Sequence, residues 1–144
     1  MQYLKFILSV FILLVIHACQ TDVKRIPASV ESLLTDGNSK VWMIDRVQIA
    51  GKNQTVKDPK NKDLLIFYAS GHFVLQNFKN FGAQLPTKGR YSIDDQSRTL
   101  KLIFQDQIWV FQIQPLSKSK VLFKPLKDSD VPYEFLIIPF PELN

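Results

Sequence analysis

Residues 99–114 read TLKLIFQDQIWVFQIQ, and this stretch decides the class of fold. The apolar residues at positions 100, 102 and 104 fall on one side of an extended chain, because successive side chains of a strand point to opposite faces. After the polar pair Asp106-Gln107, which favours a turn, the alternation resumes at Trp109 and Phe111. The stretch therefore predicts two antiparallel strands whose sheet has one apolar and one polar face.

The same pattern extends in both directions along the chain. Short segments rich in β-branched and aromatic residues alternate with short polar turns, and no segment of helical length separates them, which argues against parallel crossovers. We predict eight strands, at residues 40–50, 63–69, 72–78, 89–94, 99–105, 108–114, 120–124 and 133–138.

Such a meander must hide its apolar face. The sequence therefore predicts an all-β fold, in which an antiparallel meander of about eight strands closes as a barrel or folds as a two-layer sandwich. A barrel of eight strands has room for packed side chains or for one small ligand. Segments 63–68 and 135–138 are apolar on both faces, so we expect either the N-terminal helix or a partner to cover them.

A short helix is predicted before the first strand. Val30, Leu33 and Leu34 recur at helical spacing, Ser29 is a suitable N-cap, and Gly37 is placed to end the helix.

The first eighteen residues have the layout of a secretory signal. Lys5 precedes an apolar run over residues 6–16 in which Ser9 is the one polar residue. The run is shorter than the roughly 20 apolar residues that a membrane-spanning helix requires. Cys19 follows it and is the single cysteine of the chain, so an intrachain disulfide is excluded.

Residues 16–19, Ile-His-Ala-Cys, resemble the lipobox of bacterial lipoproteins. The resemblance implies that residues 1–18 are removed as a signal peptide and that Cys19 carries fatty acyl chains such as palmitate. Residues 19–28 would then be a lipidated tether, and residues 29–144 the exported domain. The implied location is the bacterial cell envelope, with the outer membrane favoured and the domain in the periplasm or at the cell surface. The alternatives are a free thiol in an ordinary secreted protein and a buried cysteine in a cytosolic one.

Composition and charge limit the classes of function. Hydrophobic residues make up 46% of the chain and include eleven phenylalanines, which is incompatible with a disordered protein. The net charge is +5, and the densest basic stretch, residues 52–62, lacks the interleaved aromatic residues of a nucleic-acid site. We interpret that stretch as a solvated loop and expect no nucleic-acid partner.

Candidate catalytic residues are few. His72 is the one histidine after the signal, and Cys19 is predicted to be blocked by lipid, so a Cys-His pair and the usual zinc site lack their residues. Asp94-Asp95 and the pair Asp128 and Asp130 lie where turns are expected, and aspartate there bonds local backbone amides. We therefore predict no enzyme activity, no metal and no cofactor.

The order of these features resembles that of lipocalin-like small lipoproteins of bacterial envelopes. The resemblance rests on the helix with Leu33-Leu34, on Lys40-Val41-Trp42, on the hairpin at residues 67–73, and on residues 89–94 followed by 99–102. It implies a barrel fold.

Two functions remain open at this stage. The first is a non-enzymatic module that binds a small apolar ligand or an envelope component. The second is a structural or interaction lipoprotein that binds another envelope protein through the surface or edge of its sheet, with the strand at residues 133–138 as the candidate. Filling of the core predicts the same residues as a ligand pocket, for which the candidates are Trp42, Phe67, Phe73, Tyr91, Phe104, Trp109 and Phe111.

Overall fold

The computed structural model describes residues 29–80, 84–117 and 119–141. One α-helix, α1 (Val30–Thr35), precedes the strands, and two 3-10 turns lie at Pro59–Asn61 and Phe78–Asn80. The strands are β1 (Ser39–Ile49), β2 (Lys52–Asn53), β3 (Asp63–Tyr68), β4 (His72–Asn77), β5 (Thr87–Asp94), β6 (Thr99–Phe104), β7 (Gln107–Ser117), β8 (Lys120–Pro125) and β9 (Tyr133–Pro139).

The strands form one closed antiparallel sheet. Its order is β2-β1-β3-β4-β5-β6-β7-β8-β9, and β9 returns to pair with β1, for example Met43 with Ile138. The predicted all-β meander is confirmed as an eight-stranded, lipocalin-like barrel, and the closure decides against the two-layer sandwich. The short strand β2 is additional, because the prediction treated residues 52–62 as a loop.

Aromatic side chains fill the barrel towards the end where β1 begins. Phe67 meets Tyr91 edge to face with ring centroids 5.1 Å apart, and Phe111 stacks on Phe123 at 5.8 Å. Burial of each such side chain contributes about 1.5–3 kcal/mol. This packing is the main source of the stability of the barrel.

The helix α1 begins as predicted. Ser29 Oγ accepts a hydrogen bond from the Ser32 N–H at 3.0 Å, which confirms Ser29 as the N-cap. The Asp95 carboxylate, from the β5–β6 turn, accepts a second one from the Val30 N–H at 2.9 Å. The helix ends before Gly37, whose φ of +81° belongs to the left-handed region that favours glycine.

The helix closes one end of the barrel. Val30 and Leu34 are buried in the interior core cluster, and the Leu34 carbonyl oxygen accepts a hydrogen bond from Trp42 Nε1 at 2.9 Å. Because its apolar side chains join the interior, the helix does not supply the cover that strands β3 and β9 need on their outer faces. On those faces Leu64 is 3% exposed, whereas Leu136 and Ile138 are half-buried.

A β-bulge interrupts β1 where it leaves β3. The register with β9 shifts between Ile44 and Arg46, so Asp45 is the extra residue. Lys62 Nζ donates hydrogen bonds to the carbonyl oxygen of Asp45 at 3.1 Å and to its carboxylate at 2.5 Å. Lys62 is only 9% exposed, so the prediction of a solvated loop over residues 52–62 is wrong for this residue.

Candidate functional site

Six of the seven predicted pocket residues belong to the interior core cluster, and the partly buried Trp109 packs against it. Trp42, Phe67, Phe73 and Phe111 are at most 1% exposed and lie among other rings. Such a position is typical of side chains that fill a core. Their role as a ligand pocket stays a prediction.

A small cavity opens at the end of the barrel opposite α1. Its volume is about 210 Å³. Strands β1, β3, β4, β7 and β9 each contribute inward side chains near the end that lies far from the helix. The lining consists of Ile44, Val47, Asp63, Leu75, Trp109, Tyr133 and Phe135.

Aromatic rings form one wall of the cavity. Trp109 stacks on Phe135 with centroids 6.0 Å apart and an angle of 29° between the ring planes. Tyr133 contacts the same phenylalanine at 5.9 Å, and Trp109 Nε1 donates a hydrogen bond to Gln107 Oε1 at 3.1 Å. The indole is therefore held in one orientation and presents a flat apolar surface.

A single carboxylate lies among the lining side chains. Asp63 precedes Leu65 and Phe67 on the inward side of β3, and its Oδ1 accepts a hydrogen bond from Asn77 Nδ2 at 3.0 Å. The same amide donates to the Asn61 carbonyl oxygen at 2.8 Å. Asp63 is exposed, so the carboxylate can offer a hydrogen-bond acceptor at the mouth of the cavity.

The volume restricts the class of ligand. A protein cavity of about 150 Å³ holds benzene, whereas pockets for drug-sized molecules span roughly 300–1,000 Å³. A cavity of about 210 Å³ therefore suits a molecule with one small ring or a short branched chain. A long acyl chain does not fit inside it.

Trp109 is the one predicted pocket residue that lines this cavity. The other six were not predicted, although alternation on β4 and β9 places Leu75 and Phe135 on the inward face; Val47 faces inward because the bulge at Asp45 shifts the alternation on β1. The alternating pattern of the strands does not show which end of the barrel the helix occupies, and so it does not show where the cavity lies. Because α1 fills one end of the barrel, the cavity described above lies towards the other end.

A larger depression, of about 670 Å³, lies outside the barrel between the β1–β2 turn and the β8–β9 loop. Its lining is mixed, with Gln48, Lys127, Asp130 and Glu134 beside Leu126 and Pro132. This depression lies on the outer surface and its lining mixes charged with apolar side chains, so it ranks below the cavity in the barrel.

Of the two acidic pairs, Asp94 bonds local turn backbone as predicted, whereas Asp95 and Asp130 accept hydrogen bonds from distant backbone N–H groups. The Asp94 carboxylate accepts hydrogen bonds from the N–H groups of Gln96 and Ser97 and from Ser97 Oγ, and these bonds lower the pKa of Asp94. Asp130 accepts one from the Ile108 N–H at 2.6 Å and so closes the β8–β9 loop against β7. Among the described residues no group of three or more His, Cys, Asp or Glu side chains is arranged to hold a metal ion.

The candidate histidine lies at the surface. His72 begins β4 in an exposed position, and its Nδ1 is 3.3 Å from Ser70 Oγ in the preceding hairpin. Within the described part of the chain no carboxylate forms a hydrogen bond with this histidine. The pair therefore lacks the third residue that orients the base in a hydrolytic triad.

The comparisons with known proteins identify no family for this chain. No family model matches it, and no curated protein matches it significantly. In residues 29–80, 84–117 and 119–141 there is no helix of the length and apolar character needed to cross a bilayer. Cys19, the predicted signal and the predicted tether lie outside the described residues.

Proposed function

We propose that this chain is a bacterial envelope lipoprotein, anchored through Cys19, whose barrel binds a small apolar molecule without catalysing a reaction. The observation that carries the ligand proposal is the cavity of about 210 Å³ at the end of the barrel opposite α1. Resemblance to lipocalin-like lipoproteins supports the proposal at the level of the sequence, and the closed barrel is compatible with it.

The lining defines the chemistry of the ligand. Ile44, Val47 and Leu75 offer aliphatic contacts, and Trp109 offers a ring face. Asp63 at the mouth accepts a hydrogen bond, so an apolar ring that carries a hydroxyl or amino group fits better than a pure hydrocarbon.

The ligand proposal can be tested with a probe of known size. Toluene should bind saturably and shift the methyl NMR signals of Ile44, Val47 and Leu75. A Val47→Phe variant should lose this binding, because the added ring occupies the cavity. Val74→Phe makes the same change on the outer face of β4 and serves as the matched control.

Two results would contradict the ligand proposal. One is a set of toluene-induced shifts scattered over the surface, and the other is equal loss of binding in the two phenylalanine variants. Native mass spectrometry of the protein purified from its own envelope should further show a bound molecule of small mass, which the Val47→Phe variant lacks.

The anchor requires an experiment of its own. Mass spectrometry of the mature N-terminus should show acyl chains on Cys19, and a Cys19→Ser variant should leave the membrane fraction. The physical reason is that each buried methylene contributes about 0.8 kcal/mol to membrane affinity, and several acyl chains together make a firm attachment. Unchanged attachment of the Cys19→Ser variant would refute the proposed anchor.

A second candidate function is the binding of another envelope protein through the outer face of β9. The observation that favours it is that Leu136 and Ile138 are apolar and half-buried on the outer face, while α1 packs on the interior. The edge of β9 is not available, because β9 pairs with β8 on one side and β1 on the other. A Leu136→Arg variant should abolish cross-linking to such a partner and leave toluene binding intact.

A further inference from the structure

The outer face of strands β5 to β8 carries five basic residues that alternate with the inward core positions. Lys120 lies apart from the other four, next to the β7–β8 turn. Lys88 and Arg90 lie on β5, Lys101 on β6 and Lys124 on β8. The core fixes which side chains of these strands point inward. The four cations alternate with those side chains and must therefore point to the outside of the barrel. We name this surface the basic flank.

The centre of the basic flank is apolar. Ile103 and Ile108 are direct cross-strand partners on β6 and β7, and they are 42% and 38% exposed. Val110 lies beside them, and Leu126, 37% exposed, donates its N–H to the Val110 carbonyl oxygen at 2.9 Å. Monomeric proteins expose single apolar side chains routinely, but a contiguous group within a ring of cations is characteristic of an interaction surface.

The strand register holds these groups next to one another. Arg90 is paired with Ile103, and Lys101 is paired with Val110. Directly opposed side chains of a sheet have their Cβ atoms about 4.5–5.5 Å apart, so cations and apolar side chains form one continuous surface.

The four cations have no partner in the described part of the chain. The two ion pairs found there join Lys40 to Asp36 and Lys62 to Asp45, all outside the basic flank. No hydrogen bond involves the side chains of Lys88, Arg90, Lys101 or Lys124 within residues 29–80, 84–117 and 119–141. Their charges are therefore uncompensated by direct contacts.

Carboxylates lie near both ends of the basic flank. Asp94 ends β5 and is engaged with Ser97, while Asp130 lies beside Ile108 and is engaged with its N–H. Asp106 lies in the β6–β7 turn. None of these carboxylates forms an ion pair with the four cations within the described residues.

We propose that the basic flank docks on an anionic phospholipid surface, with the cations on lipid phosphates and the two isoleucines at the level of the headgroups. Long aliphatic stems let lysine and arginine reach phosphates while apolar neighbours enter the interface. Strands β5 to β8 are each paired on both sides, so the basic flank has no open strand edge, and its complementarity is one of charge, which a fluid lipid surface can satisfy without a matching shape. The site is separate from the cavity and does not depend on acylation of Cys19.

Vesicle binding of the full chain with Cys19→Ser tests this proposal without the acyl anchor. The vesicles contain phosphatidylcholine either alone or mixed with phosphatidylglycerol. In the flank variant, Lys88, Arg90, Lys101 and Lys124 are changed to glutamine. The control variant removes the same charge elsewhere and changes Lys52, Lys57, Lys60 and Lys79 to glutamine.

We expect the flank variant to lose most of its affinity for the anionic vesicles. A basic residue near such a surface changes the partition coefficient about fivefold, so four of them together change it by up to several hundredfold. The control variant should lose less than about tenfold, since its lysines act only through the long-range field, which salt screens. Seven of the eight positions are exposed and Lys101 is half-buried, and none of the eight side chains forms an ion pair within the described residues, so the urea midpoint of both variants should stay nearly unchanged.

Acetylation of lysines in the parent chain provides a second readout. Lys88, Lys101 and Lys124 should be protected on the anionic vesicles and remain reactive on phosphatidylcholine alone. Equal losses of affinity in the two variants would overturn the proposal, because net charge would then explain binding. Protection that appears with an acidic soluble protein and is absent on vesicles would also overturn it and would assign the surface to a protein partner.

Discussion

Replacement of Gly89 by alanine tests how tightly the barrel is packed at β5. A Cβ at this position would lie 2.5 Å from Phe73 Cε1 and 2.8 Å from Phe104 Cβ, and it would come still closer to the Ile103 carbonyl oxygen. The backbone oxygen belongs to the neighbouring strand and cannot move away without breaking the β5–β6 pairing. Phe73 and Phe104 meet edge to face at 5.5 Å, and they would have to separate.

The expected loss of stability is the sum of two effects, the overpacking of the core and the loss of the Phe73–Phe104 ring contact. Overpacking of a core costs about 1–3 kcal/mol, and loss of an aromatic pair costs about 0.5–1.5 kcal/mol. We therefore expect Gly89→Ala to lower the free energy of unfolding by about 2–4 kcal/mol. That is a large part of the roughly 5–15 kcal/mol that stabilises a typical domain.

Urea unfolding followed by tryptophan fluorescence measures this change. The control is Gly51→Ala, where nothing lies within 4 Å of the added Cβ and only the positive φ of 77° opposes alanine. Left-handed backbone costs a residue with a side chain about 1–2 kcal/mol. If Gly89→Ala is as stable as the parent protein, or more stable than Gly51→Ala, then the close approach of β5 to β6 does not constrain residue 89.

Three further changes have defined outcomes. Tyr91→Phe removes the hydrogen bond from the tyrosine hydroxyl to the Tyr68 carbonyl oxygen (2.7 Å) and should cost about 1 kcal/mol in urea unfolding. Burial, followed by the charge of Glu31, raises the pKa of Tyr91 in the folded protein. The contribution of this tyrosine to the free energy of unfolding is therefore complete below about pH 10 and is lost as the pH rises through the folded pKa. The stability of the parent protein should fall more steeply at alkaline pH than that of Tyr91→Phe. Hydrogen bonds lower the pKa of Asp94 in the folded protein. The contribution of this carboxylate to stability is therefore present above the ordinary carboxyl pKa and is lost as the pH falls through the folded pKa. The difference in melting temperature between the parent protein and Asp94→Asn should shrink in acid. Lys62→Met keeps the aliphatic stem but leaves the Asp45 carbonyl oxygen in the bulge without its donor. Denaturant titration should show a loss of about 1–3 kcal/mol in the free energy of unfolding. An unchanged midpoint would show that water replaces the ammonium group.

Alternation along the strands was sufficient to predict the architecture. A polar turn of two residues, predicted at Asp106-Gln107 and found at Gln105-Asp106, allows only a hairpin, and a one-sided apolar face must be enclosed. The sequence left barrel and sandwich open, since closure depends on whether β9 reaches β1. That contact joins distant parts of the chain and has no local signal.

The candidate site was harder to predict, because side chains that fill a core and side chains that line a cavity obey the same alternation. Phe67 and Trp109 are both inward aromatic residues, yet the first lies in the packed layer and the second beside free space. The difference arises from α1, which fills only one end. Lys62 was misjudged for a related reason, since the β-bulge that supplies its acceptor becomes evident only from the strand register.

Pairing of the first long strand with the last also governs the order of assembly. Met43 cannot meet Ile138 until synthesis has passed residue 138, so the ring of strands stays open while the ribosome adds the residues between them. A chain in that state keeps unpaired backbone groups at both borders of the nascent sheet. The delay makes loss of β9 a direct route to aggregation, because β1 and β8 would then keep unpaired edges.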